Sequence, residues 1–247
     1  MKTGKESLCG SCNEGYKLIK GKCKKIENLI IGIYNVKSTS NFTKIIQLSS
    51  KYGNNLKLSD FIMYINGEKV EQQLYKFGWN EDYAVYKFGN LGNHEIKIIF
   101  NKTLSNMNNL FSNCDDLIMV EFSETIDTSH VLSMESMFYS CDNLKQINIS
   151  SLNTSITGTM QGMFSHCHSL TSLDLTNFDT RNVYSMQSMF ESSEKLSYID
   201  LSSFETTYLY YWSYIFDRMG KNGTIIINSQ SKIKYDITKN CTIIYKN

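Results

Sequence analysis

The sequence predicts an α/β repeat solenoid, with a short helix and a parallel strand in each repeat, preceded by a small antiparallel β-domain. Three observations lead there. A phenylalanine returns at Phe111, Phe138, Phe164, Phe190 and Phe216, at spacings of 27, 26, 26 and 26 residues. The same frame of apolar residues accompanies each one. Inside every unit the period of that frame changes from a helical to a strand-like one.

The helical half comes first. Met107, Met134, Met160, Met186 and Trp212 precede the Phe by four positions; Leu110, Met137, Met163, Met189 and Ile215 precede it by one. Cys114, Cys141, Cys167, Ser193 and Met219 follow three positions after it. This i, i+3, i+4, i+7 pattern is one face of a short helix. Asn106, Ser133, Thr159 and Ser185 stand just before it, and their side-chain oxygens suit an N-cap.

The strand half follows. Leu117, Leu144, Leu170 and Leu196 lead into Val120, Ile147, Leu173, Ile199 and Ile225, and then Phe122, Ile149, Leu175, Leu201 and Ile227. Alternation with period two suits a strand. No unit buries its apolar side alone, so neighbours must stack, which predicts five parallel strands with helices opposite. The buried thiol position, Cys114, Cys141 and Cys167, reads as a ladder of small apolar residues.

The stretch Met160 to Met186, M-Q-G-M-F-S-H-C-H-S-L-T-S-L-D-L-T-N-F-D-T-R-N-V-Y-S-M, closely resembles the BspA-like leucine-rich repeat, also described as the mycoplasma-type surface protein repeat. The resemblance covers about half the chain, so the solenoid is read as leucine-rich-repeat-like. It implies a cell-surface or secreted interaction or adhesion protein, without catalytic residues. Residues 8 to 24, L-C-G-S-C-N-E-G-Y-K-L-I-K-G-K-C-K, resemble the end of an EGF-like or growth-factor-receptor-like cysteine-rich module. That resemblance implies a Cys12–Cys23 disulfide and leaves Cys9 over. The spacing Cys9-x-x-Cys12 also fits a zinc site, though no second pair accompanies it.

The expected organisation is thus residues 1–26 as the end of the cysteine-rich module and 27–100 as a β-domain capping the solenoid. Residues 101–230 hold about five repeats, and 231–247 form a C-terminal β cap. Strand-like runs at 29–36, 43–48, 61–65, 83–88 and 95–100, separated by Gly and Asn clusters, support the β-domain. Proline is absent, so turns must rely on Gly, Asn, Asp and Ser.

Charge and composition limit the functions. The net charge is +1, but residues 101–230 carry six basic and fourteen acidic residues, a net of −8. That disfavours nucleic acid and favours cationic or neutral partners. No apolar run is long enough to cross a membrane as a helix. The start lacks a signal-peptide core, so the chain reads as cytosolic or as a fragment of a larger secreted or anchored protein. The resemblances favour the second reading and an extracellular or cell-surface location. No H-E-x-x-H, G-x-S-x-G or phosphate-loop motif occurs, so no enzyme activity and no cofactor or metal are expected.

The candidate site is the outward face of the strands. One column is Glu121, Asn148, Asp174, Asp200 and Ile226; the other is Met119, Gln146, Ser172, Tyr198 and Thr224. Successive members are expected about 4.8 Å apart. The columns fit a partner site for a protein or glycan on a cell or matrix surface; they also fit a solvated face whose acids keep the chain soluble. A structural coat or assembly role without a soluble ligand is the alternative function. Six N-x-[ST] sequons stand at Asn41, Asn101, Asn148, Asn153, Asn222 and Asn240; a glycan on Asn148 would block flat docking there.

Overall fold

The computed structural model describes residues 16–25, 27–48, 56–71, 73–77, 81–220, 223–233 and 241–246. Strands β1 (Tyr16–Ile19) and β2 (Lys22–Lys25) form an antiparallel hairpin. Lys20 and Gly21 turn it with φ of 49° and 75°, the left-handed pair that a two-residue hairpin requires. Lys20 and Lys24 reach Glu124 at 3.5 and 3.0 Å. Cys12 lies outside the described residues, and with it the expected Cys12–Cys23 pair. Among the described residues Cys23 is disulfide-bonded, whereas Cys114, Cys141, Cys167 and Cys241 are free thiols.

The following strands are β3 (Leu29–Val36), β4 (Thr43–Gln47), β5 (Phe61–Ile65), β6 (Glu68–Val70), β7 (Gln73–Phe77), β8 (Glu81–Tyr86) and β9 (Gly92–Phe100). Strands β4, β8 and β7 make one antiparallel sheet in that order. The others join β10 (Leu117–Phe122) and β11 (Gln146–Asn148) in a six-stranded sheet of order β11-β10-β3-β9-β5-β6. In β3 the alternation buries Ile30, Gly32, Tyr34 and Val36 and leaves Leu29, Ile31, Ile33 and Asn35 half-buried. Gly32 is required there, since a Cβ would sit 2.7 Å from the Tyr34 ring. The Tyr34 hydroxyl donates to the Ile45 carbonyl at 2.7 Å, linking the two sheets; burial pushes its phenol well above the usual range.

From Met107 onward the chain runs in stacked coils. The five phenylalanine rings lie on one another with centroid separations of 5.5, 5.7, 5.9 and 6.1 Å and nearly parallel planes. The Met, Phe, Cys and Leu positions of the frame are buried beneath them.

The α/β solenoid with a helix and a strand in each repeat is overturned: there is no α-helix among the described residues, and the structure is predominantly β and turn. The segment expected to be helical is punctuated by left-handed residues. Asn109 and Asn113 have φ of 56°; Ser136 and Ser140, Gly162 and His166, Ser188 and Ser192, Tyr214 and Arg218 repeat the pair in each later coil. A right-handed helix cannot pass through such residues. Alternate N–H groups instead point along the stack. Those of Met107, Asn109, Phe111 and Asn113 donate to the carbonyls of Ser133, Glu135, Met137 and Tyr139. The same four bonds recur at each later step, ending with those from Met186, Ser188, Phe190 and Ser192 to Tyr211, Ser213, Ile215 and Asp217. Three of the four residues expected as N-caps, Ser133, Thr159 and Ser185, instead form a run of isolated parallel bridges that ends on Tyr211.

This geometry is open to a direct check at Ser188. In a helix interior Ser188→Gly would destabilise by about 0.5 kcal/mol or more. At φ of 56° the same change is expected to stabilise by about 0.5–1 kcal/mol and Ser188→Val to destabilise by at least about 1 kcal/mol. Urea unfolding of the two variants decides between them.

The strand half is also corrected. Strand β10 pairs parallel with β11, and β12 (Tyr198–Leu201) with β13 (Thr224–Asn228), which in turn pairs with β14 (Thr242–Lys246). Between them the third coil has no strand at residues 170–175, so five strands do not form one ladder. Threonines hold the coils together on the third side. Thr128, Thr154 and Thr180, all buried, each donate to a carbonyl of the next coil and accept that same residue's N–H. Thr206 accepts the N–H of Lys232 in the same way.

The buried thiols do more than fill space. Cys114, Cys141 and Cys167 donate to the carbonyls of Ile45, Phe111 and Phe138, and Ser193 to that of Phe164. A small X–H donor thus satisfies a carbonyl of the preceding coil or, for Cys114, of β4. Burial pushes these three thiols far above the ordinary thiol range, which suppresses the thiolate and its reactivity.

Candidate partner-binding face

The two expected columns come together only in part. Met119 pairs in register with Gln146, and Glu121 with Asn148, across β10 and β11. Tyr198 pairs with Thr224, and Asp200 with Ile226, across β12 and β13. Register partners in a sheet present their side chains to the same face. Ser172 and Asp174 lie in the coil without a strand, so the ladder lapses between the two pairs. Gln146, Asn148, Ser172, Asp174 and Tyr198 are exposed, Met119, Glu121 and Asp200 half-buried, and Ile226 buried.

Three polar members of the first column share one local device. Asn148 accepts the N–H and hydroxyl of Ser150, Asp174 those of Thr176, and Asp200 the N–H of Ser202. A side chain that bonds the backbone two residues on closes an Asx-turn, so these residues also shape the corner after each strand position. The Thr176 backbone and hydroxyl bonds hold the Asp174 carboxyl below the usual carboxylate range. At Asp200, burial works against ionisation, but bonds from Lys246 and Ser202 outweigh it and lower the pKa. Lys246 meets Asp200 at 2.7 Å, so this carboxylate is committed to β14 and less available to a ligand.

Of the sequons, Asn41, Asn101, Asn148 and Asn153 are exposed, and Asn222 and Asn240 lie outside the described residues. The Asn148 and Asn153 side-chain carbonyls are both engaged, with Ser150 and Ser155. Among the described residues no group of three His, Cys, Asp or Glu is placed to hold a metal ion, and no helix is long and apolar enough to cross a membrane.

The columns have a continuation that the sequence did not reveal. On its other side β10 pairs antiparallel with β3, placing Met119 beside Ile33 and Glu121 beside Ile31. Beyond β3 the face runs on to Glu95, Lys97 and Ile99 of β9, then to Ile62 and Tyr64 of β5. The first coil and the β-domain therefore share one continuous face. The alternation in β3 was visible in the sequence; its long-range pairing with β10 was not.

A second exposed feature, of which Tyr208 and Tyr210 are legible in the sequence as exposed residues, lies at the other end of the stack. Tyr184, Tyr208, Tyr210, Tyr211 and Tyr214 crowd the surface of the last two coils. The Tyr184 ring lies over Gly158, where a Cβ would approach it to 2.8 Å, and Lys232 sits 5.7 Å from the Tyr210 ring centre.

No curated protein and no solved structure matches the chain. The resemblance of residues 8 to 24 to an EGF-like module gains no support from the comparisons, since the family match begins well beyond them. Residues 105–227, the stack of coils from its first turns into β13, match the model of a family described as "Mycoplasma protein of unknown function, DUF285".

Proposed function

We propose that this chain is a non-enzymatic interaction protein, secreted or displayed on a cell surface, that binds a protein or glycan partner through the open face of β10 and β11. The observation that carries the reading is that face itself. Apolar side chains at its centre are half-buried while charged and amide side chains surround them, the distribution of a binding patch with an apolar middle and a polar rim. The likeness of the coils to BspA-like surface repeats supports the location, and the acidic balance of the coils favours a neutral or cationic partner.

The test is binding of the intact chain to cells, extracellular-matrix proteins and a glycan array. Met119→Lys and Asn148→Lys place charge and bulk on the face without touching the core. Each is expected to weaken binding by about tenfold or more, equivalent to about 1.4 kcal/mol, with an unchanged circular dichroism spectrum. Binding indifferent to both substitutions, or no binding in any format, overturns the proposal.

A further inference from the structure

The row of side chains through Ile31 crosses the whole six-stranded sheet. From β6 to β11 it reads Lys69, Tyr64, Lys97, Ile31, Glu121 and Asn148. Its members share one face and follow at about 4.8 Å intervals. The order of charge is informative. Lys97 lies one strand to one side of Ile31 and Glu121 one strand to the other. Lys69 lies three strands out on the first side; on the second, the next coil carries Asp174 at the position equivalent to Asn148. The row is thus close to antisymmetric about β3, with cations on the β-domain side and carboxylates on the coil side. Its middle is apolar, with Leu29, Ile31, Ile33, Ile99 and Met119 all half-buried. The same polarity holds for the whole chain, whose net +1 divides into −8 on residues 101–230 and +9 on the rest.

We propose that the partner seated on this face is a second copy of the chain. The two sheets pack face to face about a two-fold axis running along β3. Such an axis exchanges the two sides of the row, so Lys97 and Lys69 of one copy face Glu121 and Asp174 of the other, and the reverse. A two-fold axis across the strands would set each lysine against its own equivalent, and like charges oppose each other. The contact is isologous: one self-complementary patch used twice, the arrangement that closes a dimer. Ile31 and Ile33 lie at the centre, where burial of apolar area stabilises most, and the charges sit toward the rim, where they select orientation. Glu95 lies 3.0 Å from Lys97 on the same strand; an ammonium has three donors, so this contact leaves Lys97 able to meet a second carboxylate. Asp200 is engaged by Lys246 and stands outside the exchange.

This inference rests on the reading of the face as a binding surface, and sedimentation of the intact chain can separate the two. From about 1 to 500 µM, a concentration-dependent dimer is expected, weakened when salt is raised from about 50 mM to 500 mM because the charge pairs are rim-exposed. Lys97→Glu and Glu121→Lys are each expected to weaken self-association by about tenfold or more, since each sets two like-charge pairs in the dimer. Mixed in equal amounts, the two variants should associate about as well as the parent, because every reversed charge then meets an opposite one. That rescue is beyond a merely unfolded variant. A monomer over the whole range, a dimer indifferent to both substitutions, or a mixture no better than either variant alone overturns the proposal. Ile31→Asp supplies the separation. If the parent is monomeric but Ile31→Asp abolishes capture of another protein or glycan, the homotypic partner is wrong and the binding face stands. If neither self-association nor any other binding responds to Ile31→Asp, both readings fall.

Discussion

Phe164→Ala is expected to destabilise the fold by about 3–5 kcal/mol, the range for removing a buried aromatic ring from a core. The Phe164 ring is fully buried between those of Phe138 and Phe190, 5.7 and 5.9 Å away. Truncation forfeits its transfer from water, its contacts with two neighbours and the packing of the coil between them. The rings are held in register by backbone bonds on both sides, from Phe138 to Met163 and from Phe164 to Met189, so the void cannot close by one coil sliding. Phe164→Leu retains much of the apolar volume and is expected to lose roughly half as much. Phe216 has a stacked ring on one side among the described residues, so Phe216→Ala should cost less than Phe164→Ala. Chemical unfolding of the three variants measures this; a loss below about 1 kcal/mol for Phe164→Ala would mean that the ring column does not hold the coils together.

Thr154→Val is expected to destabilise by about 2–4 kcal/mol, although it replaces a buried residue by one of the same shape. The Thr154 hydroxyl donates to the Asp179 carbonyl at 3.0 Å and accepts the Asp179 N–H at 2.8 Å. Valine supplies neither, and leaves two backbone groups of the next coil without partners in a part-buried position. Stranding such groups costs about 1–3 kcal/mol each. Thr154→Ser keeps the hydroxyl and loses only a methyl group, so it is expected to cost about 1 kcal/mol. Equal stability of the valine and parent chains in urea would show that water replaces the hydroxyl and that these threonines are incidental.

The period was legible because five Phe side chains at a fixed interval must do the same thing in every coil. The helix assigned to that period was not correct, and the reason is physical. Apolar residues at i, i+3, i+4 and i+7 face one side of a helix, but they also face one side of a run of tight turns. The signal that separates the two was in the intervening residues. Asn109, Ser136, Gly162 and Ser188, then Asn113, Ser140, His166 and Ser192, are poor choices for a helix interior, and Asn and Gly in particular tolerate a left-handed backbone. The column Thr128, Thr154, Thr180 and Thr206 was equally periodic, yet threonine suits strands and turns alike, so its bridging role needed coordinates. Of the candidate site, the register of Met119 with Gln146 and of Glu121 with Asn148 follows from the repeat. The extension through Ile31 and Lys97 does not, because no local pattern states that β3 lies beside β10.

The alternate amides that all point along the stack give the molecule a direction. Each coil presents hydrogen-bond donors on its forward side and carbonyls on its rear, and Gln47 of β4 supplies a donor to the first of these rear sides, at Leu110. In these backbone bonds every step of the column is therefore equivalent to the next. A gene that gained or lost one whole unit would encode a taller or shorter tower with the same two ends. Its height, unlike its cross-section, is free to vary between generations without a new fold having to be found.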